Sequence, residues 1–170
     1  MHADAIAAAI RAHGWVTTPP VVAPELLDRI ATDLASCTSD DRGGLRNPFE
    51  VSGGVHELAR CAAVRAVAEC VLERMLAVRV HLDNCMAENG PVRVMSGSHT
   101  VGKLAACEVD EWRARSPSVD CLVARGGILA FRPLLLHASS PAIRPGHRRV
   151  VHLEFAVGDL PDRLDWRMRL

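Results

Sequence analysis

The sequence predicts an α+β fold in which N-terminal helices cover a small β-sheet domain, with the changeover near Leu76. Two observations carry this. Apolar residues recur with helical spacing before Leu76 and at every second position in short segments after it. A chain of 170 residues with 49% hydrophobic content is also long enough for a core and short enough for one domain. The expected organisation is a single domain over residues 1–170, with 1–75 as helical cover and 76–170 as β core.

Each element has a local reason. Residues Ala3–Ala12 are alanine-rich with helical spacing. Pro24 opens a second helix, because its fixed φ and missing N–H suit a first turn, and Leu26, Leu27, Ile30 and Leu34 form its apolar stripe. Thr38–Gly44 reads as a polar loop. Ser52-Gly53-Gly54 punctuates before a helix predicted from about Val55 to Glu73. Strands are expected at Leu76–Asp83, Val92–Met95, Cys121–Ala124, Gly127–Phe131, Leu134–His137 and Arg149–Val157, with a helical insert at Glu108–Arg115.

Composition excludes several classes. Twenty basic and twenty acidic residues cancel, and no basic tract suited to nucleic acid is present. With no signal peptide and no long apolar run, the expectation is a soluble, cytoplasmic chain with no membrane partner. The six cysteines form no CxxC pair and read as reduced, mostly buried thiols.

Three strings carry the chemistry. They are Asn89-Gly90-Pro91-Val92-Arg93-Val94-Met95-Ser96-Gly97-Ser98-His99, Arg132-Pro133-Leu134-Leu135-Leu136-His137-Ala138-Ser139-Ser140, and Arg148-Arg149-Val150-Val151-His152-Leu153-Glu154-Phe155. Together they resemble the phytanoyl-CoA dioxygenase-like family. The similarity is dense from about Leu72 to Trp166 and thinner around Gly14-Trp15-Val16 and the helix from Pro24.

The resemblance implies a jelly roll of the double-stranded β-helix type, with Fe(II) and 2-oxoglutarate as cofactors and a small organic molecule as substrate. It makes His137 an iron ligand and Arg148, eleven residues on, the clamp for the far carboxylate of the keto acid. An arginine suits that task because its planar fork donates two parallel hydrogen bonds. Arg148 and Arg149 alternate in direction, so only one can face inward. Ser139 is the expected second donor to the carboxylate.

One departure stands against the matches. Iron(II) sites of this type need two histidines and a carboxylate on one face. In the family, a His-x-Asp motif well upstream of the Glu88-Asn89-Gly90-Pro91 loop supplies two of them. Here the helical stretch Val55–Val71 runs almost directly into Leu72–Asp83, and the segment that would carry that motif is missing. A formal His-x-Asp does remain at His81-Leu82-Asp83. Strand periodicity puts His81 and Asp83 on one face with Arg79, where they either chelate iron with His137 or join a polar network around Arg79.

Six expected strands also fall short of the eight of a jelly roll, which implies an incomplete barrel with an open edge. Two functional expectations follow. The first is a 2-oxoglutarate oxygenase by descent, degenerate or truncated. The second is a non-catalytic binding or assembly module, a pseudoenzyme that forms a homodimer through the exposed sheet edge. A cupin-like isomerase or cyclase fits less well, since Arg148 would then have no carboxylate to hold.

Overall fold

The computed structural model describes residues 3–37, 44–71, 75–139, 141–144, 146–158, 165, 166, 168 and 169. The predicted loop at Thr38–Gly44 lies almost wholly outside them.

Four helices form the N-terminal layer: α1 (Ala3–His13), α2 (Pro24–Ala35), α3 (Gly53–Arg60) and α4 (Ala62–Glu69). Pro24 sits in the first turn of α2, whose buried face is Leu26, Leu27 and Ile30. The single helix expected from Val55 to Glu73 is two helices, broken at Cys61, which has an extended backbone (φ −64°, ψ 143°). The reason is a shift of phase. Val55, Leu58 and Ala59 are buried in α3, whereas Val64, Val67 and Ala68 are buried in α4. A continuous helix would turn one of those sets away from the core. Residues 72–74 lie outside the description, so the expected end of that helix does too.

The described residues form seven short strands, all but the first after the predicted change of period: β1 (Trp15–Thr17), β2 (Met75–His81), β3 (Val92–Val94), β4 (Val119–Cys121), β5 (Ile128–Phe131), β6 (His137–Ser139) and β7 (Val150–Ala156). They form two antiparallel sheets, ordered β1-β5-β2-β7 and β4-β3-β6. The insert α5 spans Ala106–Arg115. Helices packed on two sheets make this an α+β, double-stranded β-helix fold. At the edges, β7 closes one side of the larger sheet and β6 one side of the smaller.

Two strand expectations are corrected. Trp15–Thr17, read only as part of an opening motif, is a strand paired with β5, Trp15 opposite Phe131. The run Leu134–His137 does not form a strand that ends in histidine. Residues 133–135 form a turn, with Leu135 N–H donating to Arg132 O at 3.0 Å, and β6 begins at His137. Pro133 has no N–H to give a ladder, and Leu134 is 51% exposed while Leu135 is buried. An apolar triplet with one residue in solvent is turn material here, not a strand covered on both faces.

The core has two compartments, divided by the larger sheet. On its outer side Leu76, Val78, Val80 and Leu82 of β2 join Ile128, Ala130, Val151 and Leu153 beneath Ile10, Leu27, Ile30, Leu58 and Val64 of the helices. On its inner side Ala77, Leu129 and Phe131 meet Val92, Val94 and Cys121 of the smaller sheet. Alternation along β2 sets both compartments at once. All six cysteines are free, Cys85 and Cys121 buried and Cys107 exposed. No described helix is long and apolar enough to cross a membrane.

Leu58 is fully buried between these layers. Leu58→Ala is expected to destabilise the protein by about 2–5 kcal/mol, from lost transfer energy and the cavity left behind. Urea unfolding checks this: a lower midpoint at unchanged slope is the expected result.

Candidate functional site

The inner face of the larger sheet is more polar than a sheet interior usually is. Register places Arg79 beside His152 of β7 on one side and Leu129 of β5 on the other, while His81 pairs with Val150. Continuing the alternation of β7 backwards from Val150 points Arg148 to the same face. Across the gap, Ser139 pairs with Val92, and His137 with Val94, whose side chains are buried between the sheets. Arg79, His81, Arg148, His152, His137 and Ser139 therefore line one inter-sheet space.

Several of these side chains lack partners. His81 is 3% exposed. Both of its ring nitrogens, Arg79 Nε and Arg148 Nη1 are buried without a hydrogen-bond partner. Buried polar groups are normally satisfied, and each orphan carries a desolvation cost. Burial pushes the Arg79 guanidinium below its usual range, helped by the charge of Arg148. Burial, then the charges of Arg79 and Arg148, bring the His81 imidazole down to about 4, so the ring is neutral near pH 7. Burial likewise lowers His152, whose Nε2 lies 3.6 Å from Glu154 Oε1.

Asp83 has a different occupation. Its Oδ2 accepts from Arg149 N–H at 2.8 Å and from Arg149 Nε at 3.0 Å, and its Oδ1 accepts from Nη2 at 2.9 Å. These bonds hold its carboxyl below the ordinary carboxylate range. Arg149 is thus spent on Asp83, and Arg148, with its Nη1 buried, is the arginine on the inner face.

His137 stands at the start of β6, exposed, with its ring 4.9 Å from that of Phe131. Its Nδ1 lies 2.8 Å from Leu135 O, and as the donor in that bond Nδ1 carries the proton, leaving the Nε2 lone pair free. That is the state of a metal-ligating histidine. Among the described residues no three His, Cys, Asp or Glu side chains are placed to hold a metal ion. The expected convergence of His81, Asp83 and His137 is therefore not what the structure shows. Asp83 bonds to an arginine, and His81 sits among cations. The polar network around Arg79, the other expectation for His81, describes its surroundings better.

The loop at Glu88-Asn89-Gly90-Pro91 turns as expected, with Gly90 at φ +66°. Its Glu88 O accepts from Ile143 N–H at 2.8 Å. His99 lies with Nε2 3.3 Å from Arg11 O in the last turn of α1. Arg79 was named in the sequence only as the centre of a polar network. Its signal was an arginine flanked by valines in a central strand.

Facing antiparallel sheets with a histidine on one and an inward arginine on the other define a double-stranded β-helix with a polar inner face. The chain belongs to the phytanoyl-CoA dioxygenase family: the family model described as Phytanoyl-CoA dioxygenase (PhyH) matches residues 54–150, more than half of it. It is similar in fold to AviO1 from Streptomyces viridochromogenes Tue57, at 20% identity over 94% of this chain and 97% of that one, with a TM-score of 0.73. The non-heme alpha ketoglutarate dependent epimerase SnoN from nogalamycin biosynthesis is similar at 16% identity, over 98% of this chain and 93% of that one, with a TM-score of 0.74. HygX from Streptomyces hygroscopicus, solved with nickel and 2-oxoglutarate, is similar at 14% identity, over 86% of this chain and 84% of that one, also at 0.74. At these identities the likeness is one of fold. None of the curated proteins compared matches the sequence.

Two acid-sensitive terms follow, in separate pH windows. A folded pKa of about 4 for His81, against an unfolded value near 6.5, means the unfolded chain takes up its proton first. Stability from this source is full above about pH 6.5 and falls as pH drops toward 4. Asp83 is depressed, so its contribution is present above about pH 4 and is lost below that, as pH falls through the folded pKa. Unfolding midpoints measured from pH 7 to 3 are expected to show a shallower upper slope in His81→Gln, with a remainder from His152, and a shallower lower slope in Asp83→Asn.

Proposed function

We propose that this chain is an Fe(II)/2-oxoglutarate oxygenase by descent that keeps the keto-acid carboxylate clamp and has an incomplete iron site. The observation that carries this is Arg148, an inward-facing arginine with a buried, unpartnered Nη1 beside the neutral ring of His81. A carboxylate supplies the acceptor that Nη1 lacks, and Ser139, on the facing strand, offers a hydroxyl. Similar structures support the assignment of that acid: HygX holds 2-oxoglutarate, and SnoN has been solved with Fe3+, alpha ketoglutarate and nogalamycin RO.

The two cofactors fare differently against these residues. The orphaned guanidinium fits a 2-oxo acid. Iron does not fit, because Asp83, the carboxylate of the expected triad, is bonded to Arg149 and the described residues bring no three ligating side chains together. No oxidative step is assigned to this chain for that reason; hydroxylation of a small organic substrate is the reaction of its lineage.

A second reading, a non-catalytic module that pairs with another copy of the chain, draws on a separate observation. A groove of about 1010 Å³ runs along the edge strand β7, lined by Phe49, Met75, Glu154, Phe155, Trp166 and Met168 among others. Edge strands with unpaired backbone are templates for another strand.

Titration calorimetry tests the first reading. The protein is expected to bind 2-oxoglutarate, and Arg148→Met to weaken binding by roughly tenfold or more, the scale of a lost charge-assisted hydrogen bond. Equal affinity in the variant would remove Arg148 from the site. Light scattering tests the second: a monomer at every concentration sampled excludes pairing through β7.

A further inference from the structure

The pocket holds a second buried guanidinium for which the clamp gives no use. Arg79 sits in the middle of the central strand, with Nε buried and unpartnered like Arg148 Nη1. The charges that bear on it most are Arg148, Cys85 and Cys121, and none is a carboxylate. The acids that could have answered it are engaged elsewhere. Asp83 is bonded to Arg149 through both oxygens. Glu154 lies against His152. Asp28 accepts from Arg125 at 2.6 Å. Asp120 stands opposite Arg93 on the smaller sheet and alternates away from the buried Cys121.

Two buried guanidiniums on one sheet face, each with an unpartnered N–H, and the neutral ring of His81 near both form a site for two negative charges. We infer that Arg79 is a second anion-binding residue and that the pocket takes a small dicarboxylate dianion, one carboxylate on Arg148 and the other on Arg79, without a metal ion. His81 lies beside both arginines and can donate one ring N–H to the bound acid. This rests on the reading of Arg148 as a carboxylate clamp and adds the partner for the other end of the acid. Where the iron triad would fix the keto-acid end, a second arginine does so here.

Binding in metal-free buffer separates the two claims, with glutarate as dianion and butyrate as monoanion, and 2-oxoglutarate alongside. The full chain is expected to bind glutarate and 2-oxoglutarate at least tenfold more tightly than butyrate. Arg79→Met is expected to lower glutarate to the butyrate level and to leave butyrate within about twofold. Arg148→Met is expected to weaken all three. Glutarate affinity unchanged by Arg79→Met, or binding that appears only when iron(II) is added, overturns the inference and leaves the Arg148 clamp standing. No binding of any of the three to the unmodified chain overturns both. The rise in melting temperature of the unmodified chain with each acid needs no variant: an equal rise with butyrate and glutarate also overturns the second subsite.

Discussion

Strand β2 lies between β5 and β7, with helices over one face and the smaller sheet over the other, so neither face tolerates an unsatisfied group without cost. Its outer residues, Leu76, Val78, Val80 and Leu82, solve this by being apolar and completing the helical core. Its inner residues do so only at Ala77, whose small side chain joins Phe131 and Val94 between the sheets. Two positions further along, the same inner face carries Arg79 and His81. A charged residue and a histidine in that row cannot be moved outward, because a one-residue slip would turn four aliphatic side chains away from the helices. The hydrophobic pattern on one face therefore fixes the polar groups of the other.

The end of β2 shows how the clamp is aimed. Leu82 N–H donates to Arg149 O at 2.9 Å, and Asp83 holds both the backbone and the guanidinium of Arg149. With Arg149 tied to β2 from two sides, strand alternation leaves its neighbour Arg148 pointing into the gap. Asp83 thus sets the direction of Arg148, the proposed clamp, through the next residue along the chain. A carboxylate in a His-x-Asp spacing serves an arginine here, and the spacing alone does not distinguish that use from metal binding.

Much of this was legible from the residues. Periodicity located the helical and sheet halves and the boundary near Leu76, and the offset from His137 selected Arg148 over Arg149. What escaped depended on contacts between distant parts of the chain. Cys61 breaks a helix because the buried residues on either side fall on different faces, and only packing shows which faces are buried. Trp15–Thr17 is too short to announce itself and exists because β5 offers it an edge. Leu134–Leu136 looks like a strand by composition, yet Pro133 and the exposure of Leu134 make it a turn. Arg79 was visible as a residue, but its lack of a counter-charge becomes apparent only once the acids of the fold have been assigned to other partners.

The sign of the field in the pocket bears on which ligand the site favours. A divalent ion between the sheets would meet the charges of Arg79 and Arg148, while Asp83 at the end of that strand is bonded to Arg149. His137 and the neutral His81 offer lone pairs but no negative charge to a divalent cation. An anion entering the same space meets two guanidiniums in a partly dehydrated gap, where charge-assisted hydrogen bonds are strong. On the reading proposed here, one arrangement disfavours iron and favours a carboxylate, and both consequences trace to Asp83 being bonded to Arg149. Freeing that carboxylate would return a negative charge to the end of the pocket and weaken its preference for anions. Within these residues, holding a metal and holding a dianion without one are opposed uses of one small set of charges.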